Sequence, residues 1–344
     1  MAVTTRSSLK QELFAYARGR GADTIGVCAA GEFERSVPNL QKPSTTSSGM
    51  ESLVVFARHM LTGSLTTASV PLQSFNSHLC MEEVDRLSDE IAGWLEERGH
   101  LTIPVPPESA WMDLDPRKPM GTLDFKWVAE AAGIGTAGLE LNLLTPEYGP
   151  RVYLGVVMTE AVLEPDPPLA EDLCPGLQCG RCAVTCSTDA IPTEGARGSS
   201  VREYRGLNKR RCALGAERIG IRPLHLNAET LLSSQKPISP RAIVDNKFMR
   251  DFWQSMNNKV GAFAACFECW YVCPVGPDYR RLMRVPYRQN DLPRGTIKHV
   301  KTDTTIGVVW TGPPEDRKPE YAYDRTFQTL VGAKRASTEA ESSE

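Results

Sequence analysis

Long hydrophobic runs are missing from this sequence. No stretch approaches the ~18 consecutive apolar residues that a membrane-spanning helix needs, so no span is expected. The first ten residues lack both an apolar signal core and paired arginines. A cytoplasmic, reducing setting is the expectation. Histidine is scarce, 5 in 344 residues, and none falls in a motif. No segment repeats. Neither charge sign dominates the chain, whose net charge is −3. What remains, 41% hydrophobic and 24% charged residues, is ordinary globular composition. The length can hold two cores.

Cysteine is plentiful by contrast. Of 10 cysteines, eight fall between Cys174 and Cys273. The first run, Cys174, Cys179, Cys182 and Cys186, reads C-x4-C-x2-C-x3-C. The second, Cys266, Cys269 and Cys273, reads C-x2-C-x3-C-P. A bacterial-ferredoxin run has the form C-x2-C-x2-C-x3-C-P, and its fourth cysteine ligates the other cluster of a pair. Three thiolates on a tight loop grip three corners of one cubane, while the fourth points to its neighbour. The first run departs from this form in its first gap and at Ser187, where Pro is expected. The second run needs one more ligand, and Cys212 is the only other cysteine on that side of the chain. This assigns Cys174, Cys179, Cys182 and Cys273 to one [4Fe-4S] cluster. Cys186, Cys212, Cys266 and Cys269 go to the other. A zinc site, a disulfide framework and buried thiols are the competing readings. Zinc favours two C-x2-C knuckles and four ligands in total, and disulfides suit short secreted chains. Cys28 and Cys80 read as core thiols.

Charge is unevenly spread. Residues 236–301 hold 12 Lys/Arg against 5 Asp/Glu, a net of +7 that leaves −10 for the remainder. Offsetting the clusters' negative charge is the favoured reading. Docking of an acidic electron donor or of RNA phosphates is the sharper one.

Apolar spacing predicts a helix over 8–18, strands over 22–28, 51–57, 101–105 and 151–158, an amphipathic helix over 78–99 and a short helix over 124–132. Residues 106–121, rich in proline and turn formers, read as an irregular loop. Residues 132–138, Ala-Gly-Ile-Gly-Thr-Ala-Gly, match G-x-G-x-x-G but follow a helix instead of a strand, so the dinucleotide-binding context fails. Glycines there would still let a large planar ligand approach the backbone. The proline-rich residues 163–168 read as a domain boundary. The 79 residues between Cys186 and Cys266 read as a helical insertion carrying Cys212. Residues 304–311 read as a strand, and the last eight as disordered.

These motifs, in this order, resemble the superfamily of epoxyqueuosine reductases and reductive dehalogenases. The resemblance spans about residues 8–290. It rests on the helix–strand segment 9–27, the strand 52–57, the glycine loop 132–138, Thr-Pro-Glu-Tyr-Gly at 145–149, the run 174–192, and Arg211-Cys212 ahead of the second run. It implies an α+β architecture in three parts. A nitroreductase-like domain over 1–168 would hold cobalamin. A bacterial-ferredoxin-like domain over 169–290 would hold two [4Fe-4S] clusters and the helical insertion. A C-terminal extension over 291–344 would end in a disordered tail. The implied enzyme is an oxidoreductase that passes electrons through the clusters to a corrinoid, which reductively cleaves a C–halogen or C–O bond. Gly133, Gly135, Gly138, Thr145 and Gly149 are the expected cobalamin-binding positions, with the 145–149 turn offering amides to the ring edge. Tyr148, Asp124 and Glu140 are the candidate proton donors. Asp124 equally suits a helix cap, and the Tyr148 ring suits packing of its turn. A two-cluster electron-transfer protein serving another corrinoid protein is one alternative. A flavin-containing iron–sulfur reductase on the same fold is the other.

Departures from the family shape the expected substrate. Epoxyqueuosine reductases carry an acidic donor in Asp-Ser-Ala-Pro where this chain has Pro119-Met-Gly-Thr122. Glu140 stands where Asn is usual. The helical repeats that grip tRNA in many of them have no counterpart in the tail. A small organic substrate is therefore expected and nucleic acid is unexpected. The expected partner is a low-potential electron donor such as ferredoxin or flavodoxin.

Overall fold

A four-stranded antiparallel sheet carries the N-terminal half. Its strands are β1 (Thr24–Ala29), β2 (Ser52–His59), β3 (Thr102–Val105) and β6 (Val152–Thr159), in the order β1-β2-β6-β3. The computed structural model describes residues 6–35, 42–66, 70–106, 122–186, 188–192, 266–282, 297–301 and 306–310, with shorter pieces at 207–208, 211–212, 228, 231–233, 239–245, 249 and 253.

The sheet is apolar on both sides because both are covered. Along β2, Leu53, Val55 and Ala57 pack with Val128 and Ala129 of helix α6 (Phe125–Ala131). Val54 and Phe56 point the other way, onto Leu13 and Ala17 of α1 (Arg6–Gly19) and Val84, Leu87 and Ile91 of α5 (Val70–Glu96). In β6, Val156 and Met158 join the first core and Val157 the second. Each such side chain contributes about 1.5–3 kcal/mol of burial, so the layered sheet is the rigid body on which the loops are mounted.

Three short helices, α2 (Ala30–Glu34), α3 (Pro43–Thr46) and α4 (Thr62–Leu65), complete this half. A small hairpin, β4 (Thr136–Ala137) with β5 (Leu143–Leu144), grows from the glycine loop. The cysteine segment contributes α7 (Arg181–Thr185), α8 (Pro240–Asp245), α9 (Glu268–Val272) and α10 (Tyr279–Leu282). Its core of Cys182, Ala183, Phe267, Tyr271, Val272 and Leu282 is shared with Met60, Leu65 and Leu139 from the sheet half.

The mixed α+β class agrees with expectation. Differences are local. Helix α5 begins at Val70, eight residues ahead of the expected start, because its first turns bury Gln73 and Ser74 instead of an apolar stripe. The expected strand at 304–311 is β8 (Ile306–Trp310), and it pairs with β7 (Ile297–Lys301), which the apolar pattern did not mark. The proline-rich stretch is tied to β1: Asp166 accepts from the Val27 amide at 2.9 Å, its own amide donates to Val27 O at 2.8 Å, and its carboxylate pairs with Lys10 at 2.6 Å. Residues 107–121, which include Pro119, and the tail at 311–344 lie outside the described residues.

Candidate functional site

The two halves are joined at Arg151, whose side chain is fully buried. Nη1 donates to the carbonyls of Trp270 (2.9 Å) and Cys273 (3.1 Å), and Nη2 donates to that of Val275 (2.6 Å). Nε and Nη2 also hold the Asp278 carboxylate. A guanidinium has five N–H donors in a planar fork, and here they span three carbonyls and a carboxylate of the loop that follows Cys269. Beside it, Gly149 has φ +55, and a Cβ there would stand 2.1 Å from Val275 O. Only glycine lets the two backbones approach so closely.

Two short helices present the cysteines. Cys182 lies on α7 and Cys269 on α9. Cys174 accepts from the Gly176 amide at 3.4 Å and Cys186 from the Ala190 amide at 3.3 Å. Cys179 is half-exposed at the end of the 3-10 turn Gly176–Gln178, and Cys266 is also half-exposed. The thiols act on one another in two groups. Burial, then Glu140, then Cys174 and Cys273 push the Cys182 thiol up. Burial and Glu140 push Cys273 up to about 12, against the Val275 amide and Arg151, with Cys174 adding to the rise. In the second group, burial and Glu140 lead for Cys269, followed by Cys266, Cys212 and, least, Cys182. Desolvation raises the Cys212 thiol first and Cys186 second, with Lys126 opposing.

Among the described residues, no three His, Cys, Asp or Glu stand close enough to hold one metal ion. A four-iron cluster takes a thiolate at each iron, so its ligands stand farther apart than those of a single ion. The thiol groupings fit that larger object.

The tip of the β4–β5 hairpin enters the cysteine segment. Leu139 is buried in its core. Glu140, also buried, raises the Cys182 thiol. Asn142 Nδ2 lies 3.6 Å from Cys269 Sγ. Sequence reading missed Asn142, because its contact is 127 residues away along the chain and no spacing rule reaches that far.

The expected corrin-binding residues face the chain itself. A Cβ at Gly133 would meet Pro167 O at 2.1 Å, one at Gly135 would meet Leu144 O at 2.4 Å, and one at Gly138 would meet the Glu140 carboxylate at 2.6 Å. Thr145 is buried within a closed turn: its amide and that of Gly149 bond each other's carbonyls at 2.9 and 2.8 Å, and the Tyr148 amide donates to Thr145 Oγ1 at 3.2 Å. Those amides are used within the turn, so they are not offered to a ring edge. Glycine at these places lets the chain pack closely against itself.

The three proton-donor candidates are separated in role. Asp124 caps α6, its Oδ1 accepting from the amides of Lys126 (3.1 Å) and Trp127 (3.4 Å). Glu140 lies among the cysteines. Tyr148 stacks on His59, with ring centroids 4.6 Å apart and planes within 5°. Burial, then Asp23 and Glu147, raise its hydroxyl above the usual value. His59 Nδ1 is 2.9 Å from the same Asp23. Asp23 lies just ahead of β1 and His59 at the end of β2, and sequence spacing gave no sign of the pair.

No protein-family model matches the chain. An epoxyqueuosine reductase of Bacillus cereus is 29% identical over 203 residues, 53% of this chain and 52% of that protein. One from Listeria monocytogenes is 47% identical over 75 residues, 22% of this chain and 19% of that protein. The chain spans about half the length of the first of these curated relatives. Among solved structures, an epoxyqueuosine reductase with an epoxyqueuosine-modified tRNA-Tyr stem loop covers 79% of this chain and 66% of itself, at 21% identity and TM-score 0.45. A reductive dehalogenase whose structure suggests a mechanism for B12-dependent dehalogenation covers 83% of this chain and 35% of itself, at 16% identity and TM-score 0.51. With the dehalogenase the chain shares the fold: a mixed α+β body. The chain is similar to epoxyqueuosine reductases over about half its length, and to that reductive dehalogenase in fold. These relatives are oxidoreductases, in keeping with the expected enzyme class.

They also correct an expectation. A small-molecule substrate with nucleic acid unlikely does not stand beside relatives that are epoxyqueuosine reductases, one of them solved with a tRNA stem loop. The expectation leaned on missing helical repeats and on Pro119 at the aligned acidic position, and gave the basic stretch at 236–301 only mild weight the other way. Phosphate binding needs only positive side chains suitably placed, with no dedicated repeat module. No helix among the described residues is long and apolar enough to cross a membrane.

Proposed function

We propose that the chain is an epoxyqueuosine-reductase-like iron–sulfur reductase acting on a modified nucleoside in a tRNA stem loop. The observation that carries the redox part is the grouping of the thiols. Cys174, Cys182 and Cys273 influence one another, as do Cys186, Cys212, Cys266 and Cys269, although Cys273 is 99 positions from Cys174 in sequence. With Cys179 added to the first group, these are the ligand sets of two [4Fe-4S] clusters. The clusters, when bound, supply single electrons at low potential. The protein's own part is to hold them: Arg151 and Asp278 fasten the Cys273 loop, and α7 and α9 carry Cys182 and Cys269. The overall step takes two electrons and two protons and releases the epoxide oxygen as water.

B12 is named for the solved dehalogenase, and the cobalamin arm of the test reads its use by this chain. The test is anaerobic purification, iron and sulfide analysis, and incubation of an epoxyqueuosine-containing tRNA stem loop with titanium(III) citrate, with and without cobalamin. Loss of one oxygen from the nucleoside, read by mass spectrometry, is expected. A protein without iron and sulfide sinks the cluster reading. Full clusters with no conversion in either arm sink the substrate reading.

A further inference from the structure

We propose that Asn142 is a positioning residue that raises the reduction potential of the iron–sulfur group held by Cys269, by donating its side-chain N–H to that sulfur. The inference rests on the two-cluster reading above and goes beyond it, to how the two clusters differ.

The contact is Asn142 Nδ2 to Cys269 Sγ, 3.6 Å, a hydrogen-bonding distance for a large sulfur acceptor. Once iron is bound, Cys269 carries no proton, so its sulfur can only accept. Of the two ends of the Asn142 amide, only the nitrogen can then face it. The backbone that carries the side chain is held in place. The Gly138 amide donates to the Asn142 backbone carbonyl at 2.8 Å, the Leu141 amide donates to Gly138 O at 2.9 Å, and Leu141 has φ +62. Leu139, between them, is locked in the core of the cysteine segment. The hairpin tip therefore cannot swing away without giving up these contacts.

A donor to a cluster sulfur favours the state with more negative charge. Reduction adds one electron, so the bond strengthens on reduction and the potential rises. Hydrogen bonds to the sulfurs are among the factors that set cluster potentials, and a poorly hydrated setting enlarges the effect. Glu140, on the same tip, acts on Cys182 and Cys273 of one set and on Cys269 of the other, so it does not tell the sets apart. The Asn142 donor reaches Cys269. The donor belongs to the Cys269 set, which makes that cluster the better electron acceptor of the two.

The test is a redox titration of the cluster-loaded protein followed by electron paramagnetic resonance, on wild type, Asn142→Leu and Asn142→Asp. Both variants remove the donor, and Asp keeps the shape of Asn. One cluster should become harder to reduce, by about tenfold in its reduction equilibrium, which is about 59 mV for a one-electron couple. The shift should be larger with Asp, which adds negative charge. The other cluster, and the iron and sulfide content, should match wild type. Unchanged potentials with full clusters in both variants overturn the proposal. Equal shifts of both clusters also overturn it, since they report a general disturbance. Loss of iron from both variants makes Asn142 an assembly residue and overturns it as well. A wild-type protein without iron and sulfide is a distinct result, and it removes the cluster reading together with this one.

Discussion

Arg151 and Asp278 meet in a two-pronged ion pair, Nε to Oδ2 and Nη2 to Oδ1, each 2.6 Å. The pair lies where β6 touches the loop after the last cysteine, so it ties the sheet body to the redox segment. Removing one partner of a buried pair leaves the other uncompensated, at about 3–5 kcal/mol. Arg151→Met should destabilise the protein by that order, measured as a shift in the urea midpoint. Arg151→Lys should fail to restore it, because an ammonium cannot span the fork. A lysine variant as stable as wild type would sink this account of the join.

Cys212 tests the ligand sets. Cys212→Ala should retain about four of about eight irons, one cluster of two, by iron and sulfide analysis. Cys28→Ala and Cys80→Ala should keep the full complement, because both thiols are buried in the sheet half. Loss of a cluster from Cys28→Ala would refute the assignment.

Cys28 and Cys80 also predict an alkaline weakness. Burial, with Glu32 adding, pushes Cys28 up to about 12 from 9.0. Burial does the same for Cys80, opposed by Arg58 and aided by Glu83 and Asp23. In the unfolded chain these thiols ionise from pH 9.0 upward, while in the folded protein they stay neutral until about 12. Their stabilisation is therefore complete below pH 9 and is lost as the pH rises toward 12, on the order of a few kcal/mol. Melting curves of the iron-free protein across that window should fall less steeply for Cys28→Ala and Cys80→Ala than for wild type. Parallel slopes would contradict the linkage.

Asp124 separates a cap from a catalyst. As the α6 cap, its loss in Asp124→Ala should cost about 1 kcal/mol and leave turnover of the tRNA stem loop unchanged after correction for folded fraction. Asp124→Ser, which can still cap, should recover the stability. If turnover collapses in both variants, Asp124 delivers the proton after all.

By itself, the sequence determined the elements and the chemistry of the sulfurs. Apolar spacing is a local property, so β2, β6, α1 and α6 were legible, and so were two ferredoxin-type cysteine runs with Cys212 as the candidate completing ligand. Gly133, Gly135, Gly138 and Gly149 were visible as glycines, but their reason was not. Whether a missing Cβ makes room for a ligand or for the chain depends on what lies opposite, and here that is Pro167, Leu144, Glu140 and Val275. Only the tertiary structure decided that, just as it decided the reach of Arg151 to the Cys273 loop and of Asn142 to Cys269. These contacts join residues more than a hundred positions apart. Period and spacing carry no information over such separations, because the packing of the whole sheet on the cysteine segment sets which side chains meet.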